Sequence, residues 1–214
     1  MDEQVRKTTY AFIDASNLFY GGEKSLGWKI DYRKLLNYLK EKYGVSKAFY
    51  FGGVEIHQFQ YDYLRQKTVP LKELETYLSD LLKKQADTLA EGTIVLLDRH
   101  LQRIRFYRKL EQFGYDLYLK PVKRYEDNGA IRRKANCDVE MAFYLMKEQD
   151  KVDRGMILSG DGDFLPVLKH LREQGKDVII LARGPRTAKE IRRFAGSNFR
   201  DFVRLEHHVR FEKK

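Results

Sequence analysis

Short apolar runs alternate with amphipathic helical segments along almost the whole chain, and this alternation constrains the fold more than any other feature. Alternating strands and helices indicate a parallel sheet with helices on both faces, because parallel neighbours need a crossover connection. We therefore predict an α/β fold with a central, mainly parallel sheet. The predicted strands are residues 8–14, 47–51, 93–97, 115–119, 155–159, 176–182 and 202–205.

The helical segments between these runs have recognisable ends. Residues 31–43 are predicted to form a helix that Asp31 caps and Gly44 ends. The long polar segment 57–92 is predicted to be a helical insertion, and Pro70 divides it into two helices. Residues 120–137 indicate a basic loop or hairpin. The 214 residues suit one domain, with a basic C-terminal tail at 195–214.

Four aspartates occupy positions that such a sheet would bring together. Asp14 ends the first apolar run, Asp161 and Asp163 follow the run at 156–158, and Asp138 opens a predicted helix. The carboxyl ends of parallel strands line one crevice, where grouped carboxylates repel one another unless a cation lies between them. Taken singly, any one of them, Asp138 and Asp163 included, could equally be a helix cap. The four together predict a site for Mg²⁺ or Mn²⁺, which prefer oxygen ligands.

The charge balance indicates a polyanionic partner. The chain has 41 lysines and arginines against 31 acidic residues, a net charge of +10, and nucleic acid is the commonest soluble polyanion. Two basic clusters flank the predicted acidic edge in sequence, although each could equally be a solvated surface. The candidate phosphate contacts are Lys120, Lys123, Arg124, Arg132, Arg133, Lys134, Arg183 and Arg186.

The cysteine, the apolar runs and the histidines bear on the expected cellular location and on the type of metal site. The single cysteine, Cys137, cannot form an internal disulfide and is expected to be a small buried residue. No apolar run approaches membrane-spanning length, so we expect a cytoplasmic protein with no membrane partner. The five histidines show no zinc-ligand spacing. The long helical segment could support a homodimer.

Three motifs carry a resemblance to a known family. Residues 12–18 (FIDASNL), 134–140 (KANCDVE) and 158–164 (LSGDGDF) resemble, in order, the motifs of the NYN domain. This family is a branch of the PIN-like nuclease superfamily and includes bacterial LabA-like proteins. The resemblance covers about residues 8–182, and the last motif is its most specific element.

The resemblance implies a PIN-like α/β/α sandwich and divalent-metal-dependent cleavage, most often of RNA. By this likeness Asp14, Asp138, Asp161 and Asp163 are the catalytic metal ligands, and Asn17 and Ser159 are polar residues that border the site. The expected enzyme is a ribonuclease, with endonucleolytic cleavage preferred, in which metal-activated water attacks a phosphodiester.

One departure from the family pattern leaves an alternative open. A further aspartate often stands six residues after the mid-chain one, and here that position is Tyr144. A phenol is a poor Mg²⁺ ligand at neutral pH, so Tyr144 is expected either in the core or stacked on a base. The alternatives to a ribonuclease are a non-catalytic RNA-binding module and a nuclease that acts on DNA.

Overall fold

The computed structural model describes residues 7–19, 26–84, 89–127 and 130–212, with the backbone alone at 124–127 and 130–134. Strands and helices alternate in residues 9–54 and 138–201, as the apolar pattern predicts, whereas two helices and then three strands follow one another in residues 71–134. The strands are β1 (Thr9–Asp14), β2 (Val45–Val54), β3 (Asp116–Pro121), β4 (Lys123–Asp127), β5 (Ala130–Lys134), β6 (Arg154–Leu158), β7 (Asp177–Ala182) and β8 (Phe199–Asp201).

The principal helices lie between these strands, except the last, which follows β8, and the first helix has capping groups at both ends. Asp31 caps the first of them by accepting hydrogen bonds from two backbone amides, and Gly44 ends it in the left-handed conformation. The helices are α1 (Tyr32–Tyr43), α2 (Leu71–Lys84), α3 (Glu91–Phe113), α4 (Asp138–Glu148), α5 (Leu165–Glu173), α6 (Lys189–Ala195) and α7 (Glu206–Val209).

The central sheet has six strands in the order β3-β2-β1-β6-β7-β8. The pairings of β1 with β2 and β6, and of β7 with β6 and β8, are all parallel. Strand β1 is buried along its length except at Asp14, because parallel strands are covered on both faces. The α/β class with a central, mainly parallel sheet is therefore confirmed.

The chain forms two compact units, and the first consists of Met1–Phe51 together with Cys137–Lys214. Its core is built on β1, β6 and β7, whose apolar side chains pack beneath α4 and α5. Aromatic rings fill the space beside β1, where the ring centroids of Phe12 and Phe49 are 5.1 Å apart. Near the C-terminus, Phe202 and Val209 are buried in the same unit.

The second unit comprises Gly52–Asn136. Helices α2 and α3 pack against each other through buried leucines such as Leu74, Leu78 and Leu97. The segment before α2 is anchored to β3, because the Val69 amide donates to the Leu119 carbonyl oxygen at 3.0 Å. Strands β4 and β5 form a separate antiparallel hairpin.

Three predicted elements are wrong. Residues 93–97 are helical, within α3, because Leu97, Leu101 and Ile104 form one buried helical face that outweighs the strand propensity of a β-branched run. Residues 57–69 form turns and irregular structure, so among the described residues of this segment no helix precedes Pro70, and α2 begins directly after it. Residues 202–205 form a 3₁₀ turn, and the last strand is β8.

None of the helices in the described ranges is both long enough and apolar enough to span a membrane.

Candidate functional site

The register of two central strands brings distant polar residues together. Strands β1 and β6 pair in parallel with Ile13 opposite Leu158. The next residues along these strands, Asp14 and Ser159, therefore meet at the carboxyl edge of the sheet, where parallel α/β folds bind ligands. The Ser159 hydroxyl donates to Asp14 Oδ2 at 3.2 Å, although 145 residues separate the two.

Asp14 is held in position by the turn that follows β1. Its Oδ1 atom accepts hydrogen bonds from the backbone amides of Ser16 and Asn17, at 2.9 and 3.1 Å. The Asn17 side chain continues this network, because its Oδ1 atom accepts from the Gly160 amide at 3.1 Å. The predicted site-bordering residues Asn17 and Ser159 thus both connect β1 to the turn after β6.

The electrostatic environment of Asp14 is unfavourable to its charge. Burial raises the pKa of the Asp14 carboxyl to about 6, and the negative charge of Asp138 contributes to the rise. Hydrogen bonds from Asn17, Ser16 and Ser159 oppose it. Helix α4 packs against β1, which explains how Asp138, at the first position of α4, comes close enough to repel Asp14.

The glycine-containing turn after β6 positions the two remaining aspartates differently. Asp161 caps the 3₁₀ turn Gly162–Phe164 by accepting from the Asp163 amide at 3.1 Å, and its own amide donates to Ser159 Oγ at 3.3 Å. The Asp163 side chain is exposed. Of the four aspartates, Asp14 and Asp161 thus act as side-chain caps, whereas Asp138 is the first residue of α4 and follows its cap position, Cys137.

A second loop packs tightly against this turn. The Ala188 amide donates to the Gly160 carbonyl oxygen at 2.9 Å. A Cβ atom at Gly160 would lie 2.7 Å from Thr187 Oγ1 and 2.9 Å from Thr187 Cα, so only glycine fits there. Thr187 is not predictable from the sequence, since nothing in a lone threonine indicates a long-range contact with a glycine turn.

The two predicted phosphate contacts on this loop have different surroundings. Arg183 is partly buried and pairs with Asp201, with Nη1 and Oδ2 3.5 Å apart. Asp201 also accepts from the Gly184 amide at 3.2 Å, so this ion pair holds the loop in shape. Arg186 is exposed, in the 3₁₀ turn Gly184–Arg186. Of the two, Arg186 is the arginine whose side chain is accessible to a phosphate.

The residues at the sheet edge fit a hydrated divalent cation better than a closed metal cage. Within the described ranges, no three His, Cys, Asp or Glu side chains lie close enough to enclose an ion. Mg²⁺ is usually bound through one or two carboxylates and keeps several waters. Asp14 and Asp138 supply two carboxylates that repel each other, and a cation between them would relieve this repulsion. Ligation by all four aspartates stays a prediction.

Tyr144 belongs to the hydrophobic core. Its side chain is buried, and its ring lies 6.0 Å from Phe49 and 5.8 Å from Phe51, measured between centroids. Of the two expectations for this residue, the core position is therefore confirmed, and stacking on a nucleic-acid base is wrong. Cys137 is also buried, as expected.

The other predicted phosphate contacts lie in the second unit. Lys120 donates to the Asn136 carbonyl oxygen at 3.4 Å, and Lys123 is exposed. The hairpin register places Lys123 opposite Lys134 and Arg124 opposite Arg133, with Arg132 opposite Tyr125. The side chains of Arg124, Arg132, Arg133 and Lys134 lie outside the described part of the structure, so these contacts stay predictions.

Comparison with known proteins identifies one family. The sequence profile of the NYN domain matches residues 78–205. This range includes Asp138, Asp161 and Asp163, whereas Asp14 precedes it. The low amplitude and bright protein LabA of Synechococcus elongatus is 23% identical over 186 residues, which cover 85% of this chain and 76% of that protein.

A solved structure shares the fold. A protein of unknown function from Vibrio parahaemolyticus superposes with a TM-score of 0.59 at 18% identity, over 94% of this chain and 96% of that one. T5 5′-exonuclease with bound zinc ions gives a TM-score of 0.40 at 15% identity, over 74% of this chain and 51% of that one. The second score is too low to bear on this chain.

Proposed function

Because the chain belongs to the NYN domain family, we propose that it is a divalent-metal-dependent ribonuclease that hydrolyses phosphodiester bonds in the cytoplasm. The observation that carries the proposal is the position of Asp14. It lies at the carboxyl edge of the sheet, and burial and the Asp138 charge raise its pKa. Perturbed carboxylates of this kind concentrate at functional sites.

We assign two roles to the residues of the site, metal binding and the positioning of Asp14. Asp14 and Asp138 would hold Mg²⁺ or Mn²⁺, and Asp161 and Asp163 would accept hydrogen bonds from waters bound to the metal. When bound, the metal activates water and stabilises the charge that develops on the phosphate. Ser159 and the backbone amides of the turn after β1 fix the orientation of Asp14, and a fixed carboxylate needs no reorganisation during the reaction.

Charge supports a nucleic-acid substrate. The chain carries a net charge of +10, and such an excess attracts a phosphate backbone in a salt-dependent way. Arg186 is exposed, and the residue after it, Thr187, packs on Gly160 in the turn after β6. From this position Arg186 would orient the RNA strand relative to the carboxylates.

The proposal is tested by incubating labelled single-stranded RNA with the protein and Mn²⁺, in parallel with EDTA and with Asp14→Asn. Asparagine retains an oxygen that accepts the Ser16 and Asn17 amides, so the substitution removes the charge and keeps the cap. We expect EDTA to abolish cleavage and Asp14→Asn to reduce the rate at least roughly 100-fold. Asp150→Asn, at an exposed position of the same unit, should leave the rate unchanged.

Two outcomes would redirect the proposal. RNA that is retained but uncut at every Mn²⁺ concentration would contradict the nuclease and favour a non-catalytic RNA-binding module. Faster cleavage of the matching DNA strand in a parallel digestion would replace the ribonuclease with a deoxyribonuclease.

A further inference from the structure

The second unit contains a cavity of about 670 Å³ whose lining residues all belong to that unit. Cavities of this size bind small molecules, with a mostly apolar wall and a few polar groups that fix the orientation of the ligand. The apolar part of the wall includes Ile56, Leu81, Leu97 and Val122. The polar and aromatic residues around it indicate which chemistry the cavity recognises.

An exposed tyrosine at this cavity is fixed in a rigid turn. The Tyr63 side chain is 56% exposed, and its ring meets Tyr61 edge to face, with centroids 4.8 Å apart. The Tyr61 hydroxyl donates to the Gln66 carbonyl oxygen at 2.9 Å, and Asp62 accepts from the amide of Leu64 at 2.9 Å. Large aromatic rings held in place at the surface are stacking platforms for nucleobases.

A cation lies next to this ring. Lys123 Nζ is 6.0 Å from the ring centroid of Tyr63, and both residues line the cavity. An ammonium group beside a stacking ring matches a nucleotide, which joins an aromatic base to a phosphate within a few ångströms. Glu55 also lines the cavity. A carboxylate repels phosphate but accepts hydrogen bonds from the amino groups of bases. Of the two charged residues, Lys123 is therefore the one that can bind the phosphate.

A strained histidine forms another part of the wall. His57 has a φ angle of 54°, which a residue with a side chain rarely adopts. It is held there by His100, with His57 Nε2 and His100 Nδ1 2.6 Å apart. Backbone strain that the surrounding structure maintains is concentrated at functional sites. The neighbouring Gln58 adds an exposed amide, which can donate to and accept from the edge of a base.

We infer that this cavity binds one unpaired nucleotide, with its base stacked on Tyr63 and its phosphate at Lys123. The inference rests on the proposed function only in naming RNA as a source of that nucleotide. The other source is a free mononucleotide, which presents the same base and phosphate. Paired bases are excluded by this geometry, because a base within a duplex has no exposed face to stack.

The test measures binding in EDTA, so that its outcome does not depend on cleavage. A fluorescent ten-nucleotide single-stranded RNA and a blunt RNA duplex are titrated with the wild-type protein and with Tyr63→Ala. We expect Tyr63→Ala to weaken single-strand binding roughly 5- to 100-fold and to leave duplex binding unchanged. Leu64→Ala is the matched control, since Leu64 is 99% exposed, adjacent in sequence and absent from the cavity wall.

A second arm uses the four ribonucleoside monophosphates and records NMR shifts at Tyr63 and His57. Lys123→Gln should reduce the salt dependence of RNA binding by about one counterion, whereas Lys67→Gln, an exposed lysine outside the cavity wall, should not.

The two arms separate the sources of the nucleotide. Loss of single-strand binding in Tyr63→Ala identifies RNA, and mononucleotide shifts without that loss identify a free nucleotide. Single-strand binding that Tyr63→Ala leaves intact, together with no mononucleotide shifts, would overturn the inference. Neither result depends on whether the carboxylates of the first unit cleave RNA.

Discussion

Two carboxylates, one in each unit, have opposite electrostatic surroundings. In the first unit, burial and the Asp138 charge raise the pKa of Asp14 to about 6. In the second unit, Glu75 lies between two arginines: Arg105 Nε is 3.3 Å from its Oε1 atom, and Arg108 Nη1 contacts its Oε2 atom. Hydrogen bonds from these arginines lower the pKa of Glu75.

The charge of Glu75 therefore stabilises the folded state, whereas the charge of Asp14 destabilises it. Glu75 connects α2 to α3, and its charge is favourable where it lies. Asp14 is unfavourable as a charged group, and the hydrogen bonds around it offset only part of the cost. Residues of this second kind are expected where a ligand supplies the missing interaction.

The largest change in the free energy of unfolding is expected at Tyr144 in the first unit, and Tyr63 in the second unit serves as the comparison. Tyr144 is 7% exposed among aromatic rings, whereas Tyr63 is 56% exposed. Tyr144→Asp should lower the free energy of unfolding by about 3 kcal/mol or more, because it removes a core ring and buries a carboxylate. Tyr63→Ala should lower it by only about 1 kcal/mol, through loss of the edge-to-face contact with Tyr61. Urea denaturation of both variants, with Tyr144→Phe as the conservative control, measures this contrast.

Creation of nuclease activity by Tyr144→Asp in a stably folded protein would contradict the core position. It would show instead that an aspartate at 144 reaches the carboxylates at the sheet edge.

The next effect is an increase in stability when Asp14 loses its charge. The folded state binds more protons than the unfolded state between pH 3.8 and about 6, so the Asp14 contribution to stability falls as pH rises through this window. Above about pH 6 the charged Asp14 carboxylate lowers the free energy of unfolding by up to roughly 3 kcal/mol. Asp14→Asn should therefore raise the free energy of unfolding at pH 8 without metal, and the gain should disappear near pH 3.5.

Urea denaturation at the two pH values measures this gain, with Asp150→Asn as the control. A variant less stable than wild type at pH 8 would mean that the Asp14 charge is satisfied within the protein.

Removing the charge of Glu75 should have the smaller effect and the opposite sign. Glu75→Gln should lower the free energy of unfolding at pH 7 by about 1 kcal/mol, since partly exposed ion pairs contribute little. A lowered carboxyl pKa contributes stability above its unfolded value, and that stability is lost as pH falls through the lowered pKa. The difference between wild type and Glu75→Gln should thus vanish in acid. If Glu75→Gln raised the free energy of unfolding, the charges of Glu75 and Asp14 would both be destabilising, and the contrast between the two carboxylates would be lost.

Local pattern was sufficient for many elements of the fold. The apolar runs at β1, β6 and β7 and the cap residues of α1 lie where the sequence predicts them, because these signals depend on neighbours along the chain. Prediction was wrong at residues 93–97, where a run with strand propensity lies inside α3. There the packing of one helical face against α2 outweighs local preference.

The sequence by itself determined the α/β class and the identity of the aspartates that end or follow its strands. Only the tertiary structure decided that Asp14 is joined to Ser159 and repelled by Asp138, and that His57 is held by His100. Strand order and helix packing bring these pairs together across 43 to 145 residues. Desolvation and Coulomb repulsion, which raise the Asp14 pKa, depend on distances that no linear spacing contains.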